Sequence, residues 1–194
     1  MKYKINEIFY SVQAEGRNAG RPAIFVRFAG CNLKCPFCDT NHEPYTEMTK
    51  DEIEREVNAL DSSCDGKAMV VLTGGEPTMQ LRDDEQLCAG RYVAMETNGI
   101  LRPPVWVNHV TVSPKTKMDM DWTLFDELKV LNGWFDEEYT VMLGRQARQH
   151  GVLCYMQPTA DKNGKFDAEP AIEFCKKHPY WTLSLQFHKL LNIR

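Results

Sequence analysis

Short apolar, β-branched runs alternate with amphipathic helical stretches along nearly the whole chain, and this alternation constrains the fold more than any other feature. The runs fall at Ala23–Ala29, Ala68–Thr73, Tyr92–Glu96, Val107–Val112, Glu127–Leu131, Val152–Met156 and Thr182–Phe187, each of strand length and composition. Between the first two lies a helix with its start written out: Thr49 caps it, Glu52 completes a capping box, and Ile53, Val57 and Leu60 make one apolar face. A second helix is predicted from about Glu137 to His150, stopping at Gly151, and a third after Asp167, ending before Pro179. Strand–helix alternation favours a parallel sheet with helices outside. A complete eightfold barrel needs about 250 residues. The 194 residues present therefore suit an α/β partial barrel of the (β/α)6 type in a single domain spanning 1–194, with an open doubly wound sheet as the competitor.

Polar residues follow one predicted strand after another: Gly30–Cys31, Gly74–Gly75–Glu76, Glu96–Thr97–Asn98, Ser113–Pro114–Lys115, Gln157–Pro158 and Gln186–His188. Gly, Pro and Asn punctuate turns in any fold. Repetition of charged and amide side chains at strand ends points instead to ligand binding beyond the carboxyl ends of a parallel sheet.

Net charge is −4, with no concentrated Lys/Arg run, which argues against nucleic acid or a membrane surface as the main partner. No apolar stretch approaches the ~20 residues of a membrane span, and the start MKYKINEIFY lacks a secretory pattern. The expectation is a cytoplasmic protein whose thiols stay reduced. Of the 7 cysteines, Cys31, Cys35 and Cys38 crowd together. Cys154 and Cys175 read as small core residues; Cys64 and Cys88 sit in polar stretches and carry no further signal.

Cys31-Asn-Leu-Lys-Cys35-Pro-Phe-Cys38 is a C-x3-C-x2-C run directly after the first predicted strand. Thiolates so spaced can wrap an iron–sulfur cluster from one loop. Three thiolates for four irons leave one iron open to a chelating ligand. The competing metal is zinc, with His42 completing a Cys3His site.

The spacing, with Phe37 before the last Cys, resembles the radical S-adenosylmethionine superfamily. The resemblance implies a [4Fe–4S] cluster on Cys31, Cys35 and Cys38, with S-adenosylmethionine chelating the open iron and cleaved by one electron to start radical chemistry. Thr73-Gly74-Gly75-Glu76-Pro77 resembles the family segment that meets the methionine amino group, implying cofactor contacts at Gly75 and Glu76.

Nearly the whole chain is similar to the 7-carboxy-7-deazaguanine synthase family. The matching pieces are Asn6–Phe9, Gln13–Gly16, Phe25–Arg27, Cys38–Thr40, Thr73–Pro77, Val112–Lys115, Gln157–Pro158 and Leu185–Lys189. Members of that family convert 6-carboxy-5,6,7,8-tetrahydropterin to the deazaguanine with loss of ammonia, on the way to queuosine-type deazapurines. The resemblance implies further cofactor contacts at Ser113, Pro114, Lys115, Gln157 and Pro158. It implies substrate contacts at Val12, Gln13, Ala14, Glu15, Arg27, Thr73 and His188, Mg2+ on Thr40, a homodimer, and a flavodoxin or ferredoxin as electron donor.

Residue chemistry is compatible with those roles. Arg27 shares a strand face with Phe25, and its guanidinium suits a carboxylate: the substrate's, or internally that of Glu7 or Glu15. Glu15 can accept from the amino and ring N–H groups of a pterin. A hydroxyl such as that of Thr40 is a hard oxygen donor for magnesium. In Leu183–His188 the alternation predicts Leu183, Leu185 and Phe187 on a core face and Ser184, Gln186 and His188 on a polar one. Ala14 stands where the family usually carries Gly, and the connections before Ala68 and over Gln80–Arg91 are short, which predicts a more open barrel. Two other readings remain at this point: a glycyl-radical-enzyme activase, sharing the cysteine motif, and a non-catalytic zinc or iron–sulfur module.

Overall fold

The computed structural model describes residues 1–36, 38, 40–61, 67–159 and 167–193. Its strands are β1 (Lys2–Val12), β2 (Pro22–Phe28), β3 (Thr46–Thr49), β4 (Met69–Gly74), β5 (Val93–Thr97), β6 (His109–Val112), β7 (Glu127–Leu131), β8 (Leu153–Gln157) and β9 (Trp181–Leu183). The helices are α1 (Lys50–Leu60), α2 (Glu137–Gln149), α3 (Glu169–Lys177) and α4 (Phe187–Leu191). Among the described residues the strands form one nine-stranded sheet in the order β3-β1-β2-β4-β5-β6-β7-β8-β9. From β2 to β9 neighbouring strands are parallel, and β1 and β3 are antiparallel additions at one side. The ladder does not close, which agrees with a partial barrel.

The helix signals stand where the sequence puts them. Thr49 Oγ1 accepts from Glu52 N at 3.3 Å while the Glu52 carboxylate accepts from Thr49 N at 2.7 Å, closing the capping box of α1. Asp136 caps α2 by accepting from Tyr139 N at 2.8 Å. Between β4 and β5 the chain makes only a 3-10 turn at Pro77–Met79, and between β6 and β7 another at Trp122–Leu124, so the helical layer is thinner than strict alternation requires.

Two expectations need correction. Neither β1 nor β3 is among the predicted strands; in β1 a register shift between Ile5 and Glu7 breaks the two-residue period by which strands are recognised. Thr182–Phe187 is not a strand: β9 ends at Leu183, and Phe187 opens α4. Of the supposed core face only Leu183 packs against the core, while Ser184 is buried and Phe187 exposed. Cys88, set in a polar stretch, is in the core, where burial pushes its thiol up to about 12. Cys154 is a core residue and Cys175 packs against the same cluster, as expected; Cys64 lies outside the described residues.

The two faces of the sheet differ. On the outer face Ile24, Val26, Phe28, Val70, Leu72, Val93 and Met95 pack with Ile53 and Val57 of α1. Further along, Val112, Leu128, Val130, Cys154, Met156 and Trp181 pack with Leu143 and Ala147 of α2 and Ala171 of α3. Burial of such side chains, at about 1.5–3 kcal/mol each, makes this face the main source of stability. The inner face has only a small apolar patch of Ala23, Phe25, Met69, Val71 and Ala94. Partners across the ladder share a face, and the row Glu7–Arg27–Thr73 continues through Glu96–Thr111–Glu127, with Lys129–Tyr155 and Leu131–Gln157 above.

Candidate active site

The β1–β2 connection, residues 13–21, enters β2 and so lies at the amino end of the parallel strands. It folds across the inner face instead of pointing away from it. Gln13 Nε2 donates to Glu96 Oε1 on β5 at 3.1 Å, Arg17 N donates to Glu127 Oε2 at the start of β7 at 3.0 Å, and Gly16 N donates to Ser184 Oγ past β9 at 3.1 Å. Gly16 has φ +64, which disfavours a residue with a Cβ, and a Cβ there would lie 2.0 Å from Glu127 Oε1 and displace that carboxylate. The turn forms a floor under the inner face.

At the opposite, carboxyl end the cysteine loop follows β2. Gly75 N donates to Phe28 O and Glu76 N to Gly30 O, each at 2.9 Å, joining the Gly74–Gly75–Glu76 turn to the start of that loop. Gly74 has φ +121, and a Cβ on Gly75 would stand 1.8 Å from Gly30 O; the contact requires glycine. The Glu76 carboxylate is buried and receives Thr78 N at 3.1 Å, Thr78 Oγ1 at 2.5 Å, Thr97 Oγ1 at 2.8 Å and Asn98 N at 2.8 Å. Its carboxylate therefore ties β4 to β5, and the segment offers a ligand its backbone. Asn98 Nδ2 donates to Asn32 Oδ1 at 2.7 Å, fastening the next strand end to the cysteine loop.

Cys31, Cys35 and Cys38 are free thiols on this loop, with Cys38 exposed. Among the described residues no three His, Cys, Asp or Glu side chains surround a single point as ligands of one ion. A cluster asks for something different, because each thiolate binds its own iron. Phe37 lies outside the described residues. Thr40 follows the loop, its carbonyl 3.5 Å from Cys38 Sγ.

The expected cofactor contacts lie at neighbouring carboxyl ends. Lys115 is held over the end of β6 by donating to Ser113 O at 2.8 Å and to Ser113 Oγ, and burial followed by the Lys129 charge lowers its pKa to about 8. Pro114 and Pro158 are buried. Gln157 Oε1, at the end of β8, is a buried acceptor with no partner among the described residues, and a donor from a bound molecule would satisfy it. These observations fit a cluster with an amine- and hydroxyl-bearing cofactor beside it.

The expected substrate contacts divide between floor and wall. Gln13 Oε1 accepts from Ala14 N at 2.7 Å, and Ala14 O accepts from Phe187 N at 3.3 Å, so Ala14 is accommodated with its backbone tied to α4. Val12 is more than a third exposed at the end of β1. Glu15 accepts from Gln186 Nε2 at 2.7 Å and pairs with Lys129; burial disfavours its charge, yet Lys129 and His188 hold its pKa below the ordinary value. Thr73 Oγ1 donates to Glu96 Oε2 at 3.4 Å. Arg27 Nε meets Glu7 Oε1 at 2.8 Å, the internal pairing, and its guanidinium lies 5.7 Å from the Phe9 ring.

Lys129 and Glu127 line the inner face without having been assigned by the sequence reading, though a signal existed. Parallel strands buried on both faces read as continuous apolar runs, whereas β7 alternates Glu127 and Lys129 with Leu128 and Val130.

A thinly helical parallel sheet with a cysteine loop and glycine turn at its carboxyl end is the arrangement of the radical S-adenosylmethionine enzymes, and the Radical SAM superfamily pattern matches residues 25–112. Membership implies a [4Fe–4S] cluster and S-adenosylmethionine. Over the full length of both chains this one is 43% identical to the 7-carboxy-7-deazaguanine synthase of Bacteroides thetaiotaomicron and 36% identical to that of Burkholderia multivorans. QueE from Escherichia coli superposes with a TM-score of 0.72 at 26% identity, covering 96% of this chain and 94% of that one. The chain belongs to the 7-carboxy-7-deazaguanine synthase family. No helix among the described residues is long and apolar enough to cross a membrane.

Proposed function

We propose that this chain converts 6-carboxy-5,6,7,8-tetrahydropterin to 7-carboxy-7-deazaguanine with loss of ammonia. The observation that carries this reading is the floor: Gln13 and Glu15 stand beneath the inner face, with Thr73, Glu96 and Lys129 around them. When bound, the cluster and S-adenosylmethionine supply one-electron cleavage and abstraction of the hydrogen on C6. The chain's own part is binding and orientation. Glu15 accepts N–H groups of the pyrimidine edge, assisted by Gln13 and the backbone of Val12 and Ala14. His188 stands beside Glu15 and contacts the same ring. Arg27, aligned by Glu7 and Phe9, turns its terminal nitrogens toward the substrate carboxylate. Ser113, Pro114, Lys115, Gln157, Pro158 and the Gly75–Glu76 backbone would hold S-adenosylmethionine beside a cluster on Cys31, Cys35 and Cys38. Thr40 would offer Mg2+ one hard oxygen, and the metal would help hold the substrate carboxylate. A flavodoxin or ferredoxin serves as electron donor, the working form is a homodimer, and 1–194 acts as a single domain in the cytoplasm.

The test is an anaerobic assay of reconstituted protein with reductant, S-adenosylmethionine, Mg2+ and the pterin, read by mass. A product with the deazaguanine spectrum that has lost ammonia is expected, and omission of Mg2+ lowers its rate in the parent but not in Thr40→Ala. Formation of 5′-deoxyadenosine without that product would refute the substrate while leaving the enzyme class intact.

A further inference from the structure

Lys129, on the inner face of β7, stands beside the floor but is given no role of its own in the reading above. It is buried, pairs with Glu15 Oε2, and stands 3.8 Å from Glu96 Oε2. Gln186 Nε2 occupies the other Glu15 oxygen at 2.7 Å. An ionised carboxylate has about four acceptor positions, so after Lys129 and Gln186 Glu15 can still accept from a ligand. Two carboxylates around one ammonium leave an excess of negative charge, which N–H donors of a ligand would complement. Stability alone is a weak reason for this lysine, because well-packed apolar replacements of buried ion pairs are often neutral or stabilising.

We propose that Lys129 is a positioning residue for the substrate: it fixes the Glu15 carboxylate as an acceptor-only group, so that the site selects a 2-amino-4-oxopyrimidine edge over a 2,4-dioxo edge. The inference rests on the pterin reading and adds the basis of its selectivity. A carbonyl in place of the 2-amino group would face the carboxylate lone pairs, and sites built to receive an N–H reject analogues lacking it. The charged groups facing Glu15 are Lys129 and Glu96 from the sheet, Lys115 from the end of β6 and His188 from α4, with Glu127 next to Lys129 on β7. Burial opposes the charge on both partners. The carboxylates nevertheless hold Lys129 above the ordinary lysine range, and Lys129 holds Glu15 below the ordinary carboxylate range.

The test measures equilibrium binding of 6-carboxytetrahydropterin and its 2,4-dioxo counterpart to cluster-loaded protein with S-adenosylmethionine, from mildly acidic to mildly alkaline pH. The parent is expected to prefer the amino compound. Lys129→Met is expected to lose about 10- to 100-fold in pterin affinity and most of that preference, while the cofactor's effect on the cluster spectrum is retained. Its remaining affinity should fall as pH is lowered, because a buried Glu15 without its cation takes up a proton. Lys129→Met/Glu15→Gln removes both charges and guards against misfolding; it is expected to bind the pterin no more weakly than Glu15→Gln. A folded Lys129→Met with parental selectivity and pH profile, or a double variant with parental affinity, would overturn the inference alone. Failure of the parent to bind the pterin would overturn the pterin reading, and this inference with it.

Discussion

Glu76 and Glu15 are carboxylates in connections at opposite ends of the same sheet, and their surroundings separate their roles. Glu76 receives backbone and hydroxyl donors from its own turn and from β5, which makes it a clasp between strand ends. Glu15 is held from one side by Lys129 and Gln186 and retains acceptor capacity for a ligand. Gly75 is as restricted as either, because any Cβ would overlap Gly30 O. Gly75→Ala is therefore expected to displace the cysteine loop and cost about 1–3 kcal/mol. Iron per chain after anaerobic reconstitution should fall below that of the parent, and full iron occupancy would show that the loop tolerates the shift. A double glycine is readable as close approach, but which backbone atom approaches is not, since Gly30 meets Gly75 only once β2 and β4 are in register.

At the scale of elements, signals written into consecutive residues were legible and those that depend on partners were not. The Thr49/Glu52 capping box predicted the start of α1, and Thr49→Ala is expected to cost about 1 kcal/mol, seen as a lower urea midpoint with unchanged slope. Short apolar, β-branched runs located every parallel strand but β9 to within a residue or two, and alternation was less dependable. It failed for β1, where the irregularity at Ile5–Glu7 moves the side chains on the outer core from Tyr3 and Ile5 to Ile8, a change of phase. It misled at Leu183–His188, where Ser184 is buried because Gly16 N, 168 residues earlier in the chain, needs its oxygen. Lys129 and Glu127 look like solvent residues until the turn at 13–21 is folded over them.

For the whole molecule, an apolar outer face and a polar inner face mean that stability and chemistry are drawn from opposite sides of one sheet. The inner face still contributes a pH-dependent share. Glu15 has a folded pKa below its ordinary value of 4.5, so its pairing stabilises the fold above that value and the contribution is lost as pH falls through the lowered pKa. Glu15→Gln is accordingly expected to be less stable than the parent at neutral pH, with the gap in urea midpoint narrowing on acidification. A gap constant with pH would place the effect in packing instead of charge.

The floor made by residues 13–21 has a kinetic corollary. With residues 13–21 across the amino end, a pterin held at Glu15 would lie deeper than S-adenosylmethionine held beside the cysteine loop at the carboxyl end. For ligands entering from that end, the deeper one enters first and leaves last. Pterin and S-adenosylmethionine should therefore bind in compulsory order, the pterin preceding, and labelled pterin already in place should be trapped by excess S-adenosylmethionine rather than exchanged.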